Sequence, residues 1–171
     1  MRNKKFQHSY RQLLSSIACL LFILAAASSC RQLDVYEKNT TIPGYQWKYS
    51  FQPDFDFRIT DTASPYQLLV VLRHTDAYRY NNIWLNITGI YNEKDTLVKL
   101  PHLELPLGND EKGWDGTGMN DIWEVRKPVS NGALYFSKPG NYRFRIAQIM
   151  RENPLPHILS IGLRVEKIRR R

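Results

Sequence analysis

From residue 46 onward apolar and polar residues alternate. Trp47, Tyr49 and Phe51 stand between Gln46, Lys48 and Ser50, while Phe55, Phe57 and Ile59 stand between Asp54, Asp56 and Arg58. A period of two sends successive side chains to opposite faces, so each segment predicts a strand with one wet face. The run Tyr66-Gln67-Leu68-Leu69-Val70-Val71-Leu72-Arg73 is apolar at odd and even positions alike, which predicts a central strand covered on both sides. Ile83, Leu85 and Ile87 alternate with Trp84, Asn86 and Thr88, and residues 95–100 form the return strand of a hairpin turning at Asn92-Glu93-Lys94. Pro106, Gly108, Gly113, Gly116 and Gly118 break any period from Pro101 to Asn120, so a long loop is expected there.

Beyond it the pattern resumes. Ile122 to Arg126 reads as a short strand, and residues 137–141 as a turn. Tyr142, Phe144 and Ile146 face away from Arg143 and Arg145; Leu159, Ile161, Leu163 and Val165 face away from Ser160, Gly162, Arg164 and Glu166. No segment sustains a helical period. About eight or nine short strands, with turn signals every ten or so residues, predict an all-β fold, an antiparallel β-sandwich. A closed barrel is the second architecture the pattern allows. A membrane barrel needs longer alternating strands with aromatic girdles, which the chain lacks.

The N-terminal residues follow a different rule. Arg2, Lys4, Lys5 and Arg11 are basic and no acid precedes Asp34; an apolar run from Leu13 to Ala27 then closes on Ala27-Ser28-Ser29-Cys30. About fifteen apolar residues are too few for a spanning helix and suit the core of a signal peptide. Three small residues before a cysteine resemble the bacterial lipobox, with Ala27 where leucine is usual. Residues 1–29 are therefore expected to be a cleaved lipoprotein signal peptide. Cys30 is expected to carry a covalent acyl/diacylglyceryl lipid, residues 30–44 to form a tether, residues 45–168 a single β-sandwich domain, and residues 169–171 a basic tail. Cleavage also removes Cys19, the only other cysteine of the chain. Cys30 is then the sole thiol, which excludes an internal disulfide and suits acylation. Two or more acyl chains anchor a protein stably, so a membrane is the first partner.

Charge adds little. The formal excess of +8 includes the four bases of the signal segment, and five more bases, Arg164, Lys167, Arg169, Arg170 and Arg171, crowd the C-terminus. Export and the lack of a basic, aromatic recognition motif argue against nucleic acid.

Candidate chemistry is sparse. Trp114-Asp115-Gly116-Thr117-Gly118 approaches the aspartic-protease signature, but a glycine separates acid from threonine and no second copy supplies a dyad. Asn109, Asp110, Glu111 and Asp115 lack the register of a calcium loop, and His74, His102 and His157 lack zinc spacing. No Gly-x-Ser-x-Gly elbow is present. Neither a metal, a cofactor nor an enzyme is expected. The segment from Arg73 to Trp84 is instead dense in aromatic and hydrogen-bonding groups, as protein interfaces and sugar platforms are. His74, Tyr78, Tyr80, Trp84, Trp114, Asp115 and Arg151 form the candidate interaction surface. A surface carbohydrate-binding sandwich and a hydrolase with unidentified acids stand as alternatives.

Several segments in order resemble the gliding-motility lipoprotein H family (GldH) of the Bacteroidetes. They are Val35-Tyr36-Glu37-Lys38 after the cysteine, Trp47, the Tyr66 to Arg73 strand with His74, Tyr78-Arg79-Tyr80-Asn81-Asn82-Ile83-Trp84-Leu85, and Asp95-Thr96-Leu97. Gly113 to Gly118, Gly140-Asn141-Tyr142-Arg143-Phe144, Gln148-Ile149-Met150-Arg151 and Ile161 to Lys167 complete the series. The resemblance implies a non-enzymatic cell-envelope lipoprotein of the gliding motility apparatus, a process linked to type IX secretion, with other envelope or gliding-machinery proteins as partners. Gln32, in place of a retaining aspartate, and the absence of an acidic run after Cys30 point to the outer membrane, periplasmic face.

Overall fold

The computed structural model describes residues 35–93 and 95–168. The signal segment, Cys30 with residues 31–34, and the basic tail 169–171 lie outside the described residues. Among the described residues thirteen strands run in chain order: β1 Val35–Thr41, β2 Gln46–Trp47, β3 Asp54–Ile59, β4 Tyr66–Thr75, β5 Asn82–Tyr91, β6 Asp95–Pro106, β7 Gly108–Asn109, β8 Gly113–Trp114, β9 Thr117–Met119, β10 Ile122–Pro128, β11 Gly140–Gln148, β12 Leu155–Pro156 and β13 Ile158–Lys167. Every pairing is antiparallel. The all-β, antiparallel expectation holds. The count exceeds eight or nine because β2, β7, β8, β9 and β12 are two or three residues long, too short to show a period.

Two larger sheets carry the fold, β1-β13-β4-β10-β9 and β3-β11-β5-β6. Their inward residues join one apolar core, in which Leu68, Val70, Leu72, Ile161 and Leu163 of the first sheet meet Phe55, Ile83, Leu85, Ile87 and Ile146 of the second. The strand read as apolar on both faces, β4, lies in the middle of the five-stranded sheet, and Val70, Val71 and Leu72 are buried in succession. The outer face of that sheet carries a chain of ion pairs, Arg73–Glu124, Glu124–Arg126, Arg126–Glu37, Glu37–Arg164 and Arg164–Glu166. Arg126 of β10 reaches Glu37 of β1 past the row of Val71 and Gly162. Gly162 has no room for a side chain there, since a Cβ would strike the Asn39 amide.

The chain departs from its sequence pattern in four places. Residues 35–41, assigned to the tether, pair along their whole length with β13, because Tyr36 packs its ring on Phe57, 5.4 Å between centroids. The alternation of Trp47, Tyr49 and Phe51 is not one strand: Phe51 N–H closes a turn onto the Lys48 carbonyl, and Trp47 Nε1 donates to the Phe51 carbonyl at 2.8 Å. Residues 101–120 are paired rather than looped. β6 continues to Pro106, and Asn120 and Asp121, both left-handed (φ 49° and 63°), close a two-residue hairpin between β9 and β10. In β13 an irregularity between Ile158 and Ser160 turns Leu159 out of the core and puts Ile158 in it.

Register gives the domain two ends. Val35, Glu166 and Gln67 share a row at the end where β1 begins and β13 finishes, called the near end. Ile158, His74 and Trp123 mark the far end.

Candidate functional site

The far end gathers most of the residues singled out in sequence. β4 carries His74 to its last turn of pleat, fully buried, and the chain then doubles back through Thr75 to Tyr78 with a Tyr78 N–H to Thr75 carbonyl bond. The Trp114 and His74 rings meet in a T-shaped contact, 4.5 Å between centroids, and Tyr78 lies 5.5 Å from His74 and 5.6 Å from Tyr80. Trp114 is brought there by short strands: β8 pairs with β7, and the Asp115 N–H donates to the Leu107 carbonyl at 2.7 Å.

Polar partners fix these rings. Asp76 Oδ1 accepts from the indole N–H of Trp114 at 2.9 Å and from that of Trp123 at 3.3 Å. Two tryptophans from separate strands are thereby oriented by one carboxylate. The Tyr78 hydroxyl donates to the Asn82 carbonyl and the Tyr80 hydroxyl to Glu152. The Glu152 bond raises the Tyr80 pKa, and burial raises that of Tyr78. His74 Nδ1 lies 2.9 Å from the Thr75 carbonyl, an oxygen that can only accept, so Nδ1 carries the proton. Nε2 is buried without a hydrogen-bond partner. Protonating it would bury a charge and an unmet donor, and burial accordingly lowers the His74 pKa, against the opposing pull of the Thr75 carbonyl and Asp76.

A surface depression of about 470 Å³ adjoins Tyr80, lined also by Asn82, Trp84, His102, Ile149, Met150 and Arg151. Its floor is ordered from below. Gln148 is buried; its amide donates to the Trp47 carbonyl and its carbonyl oxygen accepts from the Met150 N–H, at 3.1 and 2.8 Å. Ile149 N–H donates to the Trp84 carbonyl. Arg151 is exposed at the rim.

The seven sequence candidates therefore divide. Tyr80, Trp84 and Arg151 share the depression. His74 and Tyr78, expected on a surface, are 0% and 3% exposed and support it from inside. Trp114 is half-buried between the two groups, and Asp115 turns toward Lys127, 2.5 Å away, in an ion pair. Sequence reasoning missed Asp76, Trp123, His102 and Met150. Each comes from a different strand or turn, and nothing in local spacing joins them.

The glycine-rich stretch has structural duties. Gly116 has φ 89° and a Cβ there would strike the Glu124 carbonyl, while Gly118 lies under the Trp123 ring, 2.8 Å from where a Cβ would stand. Asn109 Oδ1 accepts from the backbone of Glu111 and Lys112, a local turn. Among the described residues no three His, Cys, Asp or Glu side chains stand where they could hold a metal ion.

Comparison with known proteins identifies the family. The family model of the GldH lipoprotein matches residues 34–165. A gliding motility lipoprotein GldH homolog of Christiangramia forsetii is 27% identical over 89% of this chain and 95% of its own. The gliding motility lipoprotein GldH of Flavobacterium johnsoniae is 26% identical over 86% of this chain and 94% of its own. Among solved structures, the VP2 subviral particle of infectious bursal disease virus aligns with 78% of this chain at 12% identity and TM-score 0.36; the chain spans about a third of its length, and so slight a likeness carries no argument.

Proposed function

The chain belongs to the GldH lipoprotein family, and from that membership we propose that it is a non-enzymatic, lipid-anchored component of the gliding motility apparatus that docks onto other envelope proteins through its far end. The reading extends to support of type IX secretion. One observation carries the docking surface: the far end, with the depression beside Tyr80, Trp84 and Arg151, lies across the domain from Val35. Cleavage before Cys30 and acylation of that cysteine would put a membrane at the opposite end, so the depression faces away from it toward neighbouring proteins. We read the two larger sheets as a β-sandwich and the location as the periplasmic face of the outer membrane.

No observation favours a sugar platform. Stacking on a sugar needs an open ring face, and Tyr78, at 3% exposure, offers none.

The test is a gene deletion complemented by wild type or by Cys30→Ser. The deletion is expected to abolish colony spreading or deplete secreted cargo, and Cys30→Ser to restore neither and to take up no labelled palmitate. Normal spreading and secretion in the deletion strain would remove the proposal.

A further inference from the structure

The near end holds an apolar surface that the docking role leaves unused. Leu97, Tyr135 and Ile168 are 50%, 60% and 37% exposed there. Leu97 and Tyr135 both line a cleft of about 270 Å³ between β6 and the segment following β10, over a floor that includes Leu68 and Phe144. Among the described residues, Ser130 and Ser137 are its only polar lining besides tyrosine hydroxyls, and no charged side chain lines it. The segment is held at this end by reciprocal backbone bonds between Leu134 and Tyr66, each 2.8 Å. Lys138 and Lys99 are exposed nearby. Of the described acids at this end, Asp61 pairs with Lys167, Asp56 and Glu93 pair with Arg143, Glu166 pairs with Arg164, and Asp95 is exposed.

We propose that this end is a second membrane contact, in which Leu97, Tyr135 and Ile168 enter the headgroup region of the bilayer and lipid acyl chains cover the cleft. The proposal rests on the anchoring of Cys30. Four residues, Arg31 to Asp34, separate Cys30 from Val35, five chain steps that reach about 17 Å when extended. The near end is therefore tethered within reach of the bilayer, and a contact too weak to recruit a free protein becomes effectively intramolecular. Tyrosine suits the interface because its ring is apolar and its hydroxyl wet, and lysines beside it meet anionic lipid.

Lipid fits the cleft better than an added peptide strand. The β6 edge beside it is interrupted at Pro101, which has no N–H to offer, and at His102, whose φ is 53°; the register with β5 shifts at the same point. Long continuous pairing is blocked, whereas fluid acyl chains need no register.

The mature chain has no thiol besides the acylated cysteine, so a single label can be introduced cleanly. Full-length processed lipoprotein carrying Leu97→Cys, Tyr135→Cys or Met119→Cys, the last at the far end and 76% exposed, is labelled with a fluorophore and reconstituted in phosphatidylethanolamine and phosphatidylglycerol vesicles containing nitroxide lipids. Quenching at positions 97 and 135 several-fold above that at 119 is the expected result. Equal quenching at all three positions, or none at 97 and 135 in chains that float with the vesicles, overturns the contact and leaves the anchor standing. A label at 135 shielded from water yet unquenched means that protein covers the cleft, and also overturns it. Chains that do not float overturn the anchor reading and this contact together.

Discussion

At the near end the Phe57 ring touches four others, Tyr36, Phe136, Tyr142 and Phe144, with centroids 5.4 to 5.9 Å apart; the cluster's polar atoms are the Tyr142 hydroxyl, which donates to the Lys138 carbonyl, and the Tyr36 hydroxyl, buried without a partner. At the far end Trp114 and Trp123 are steered by one carboxylate, Tyr80 by another, and His74 is buried with a bare nitrogen. Aromatic residues are used at both ends, with different consequences. Rings packed on rings contribute through area and dispersion and are indifferent to pH. Rings oriented by hydrogen bonds contribute less to stability, respond to protonation, and keep polar groups at a surface where a partner can meet them.

Phe57→Ala should give the largest effect, a loss of about 3 to 5 kcal/mol, because a buried ring in contact with four others leaves a cavity. Urea unfolding measures it, and a loss below about 1 kcal/mol would erase the contrast. Asp76→Ala should cost about 1 to 2 kcal/mol, since two indole N–H groups lose their acceptor and are left partly able to find water. Asp76→Asn keeps an acceptor oxygen and should recover most of it.

The pH response separates the ends further. The folded-state pKa of His74 is lowered from 6.5, so the unfolded chain binds the proton more readily. Stability contributed by neutral His74 is present above pH 6.5 and is lost as pH falls through the lowered value. Melting temperatures of wild type should therefore begin to fall as pH drops below 6.5, above the range in which the carboxylates of Glu37 and Asp54, held below 4.5 and 3.8 by Arg164 and Arg145, contribute. His74→Phe should flatten the response in that window. An unchanged slope would show that the far end carries no titrating core. Smallest of all, Tyr135→Ser should move stability by less than about 0.5 kcal/mol, because its ring is already mostly in water.

The near end was the more legible of the two in the sequence. Phe55, Phe57, Tyr142 and Phe144 lie on strands with a clean period of two, and alternation alone assigns them to the core. The continuous apolar run of β4 likewise gave away its central place. The far end resisted for a physical reason. Trp114 sits on a two-residue strand, Asp76 in a turn, Trp123 on β10 and Met150 beyond the end of β11, so their meeting depends on long-range pairing that local pattern does not encode. Tyr36 was hidden differently: a seven-residue edge strand whose outer positions are polar and exposed reads like a tether. Cys30 was read wholly from the sequence, from the small residues and the apolar run before it.

The central claim is that the far-end depression is the working surface of an anchored, non-catalytic domain. Complementing a deletion strain with Trp84→Ala combined with Arg151→Glu tests it most directly, with envelope abundance of the protein and colony spreading read together. Trp84, half-buried and packed against the edge of the core, and Arg151, exposed, both line the depression. The expected result is normal abundance in the membrane fraction with spreading lost. Normal abundance with full spreading would contradict the account.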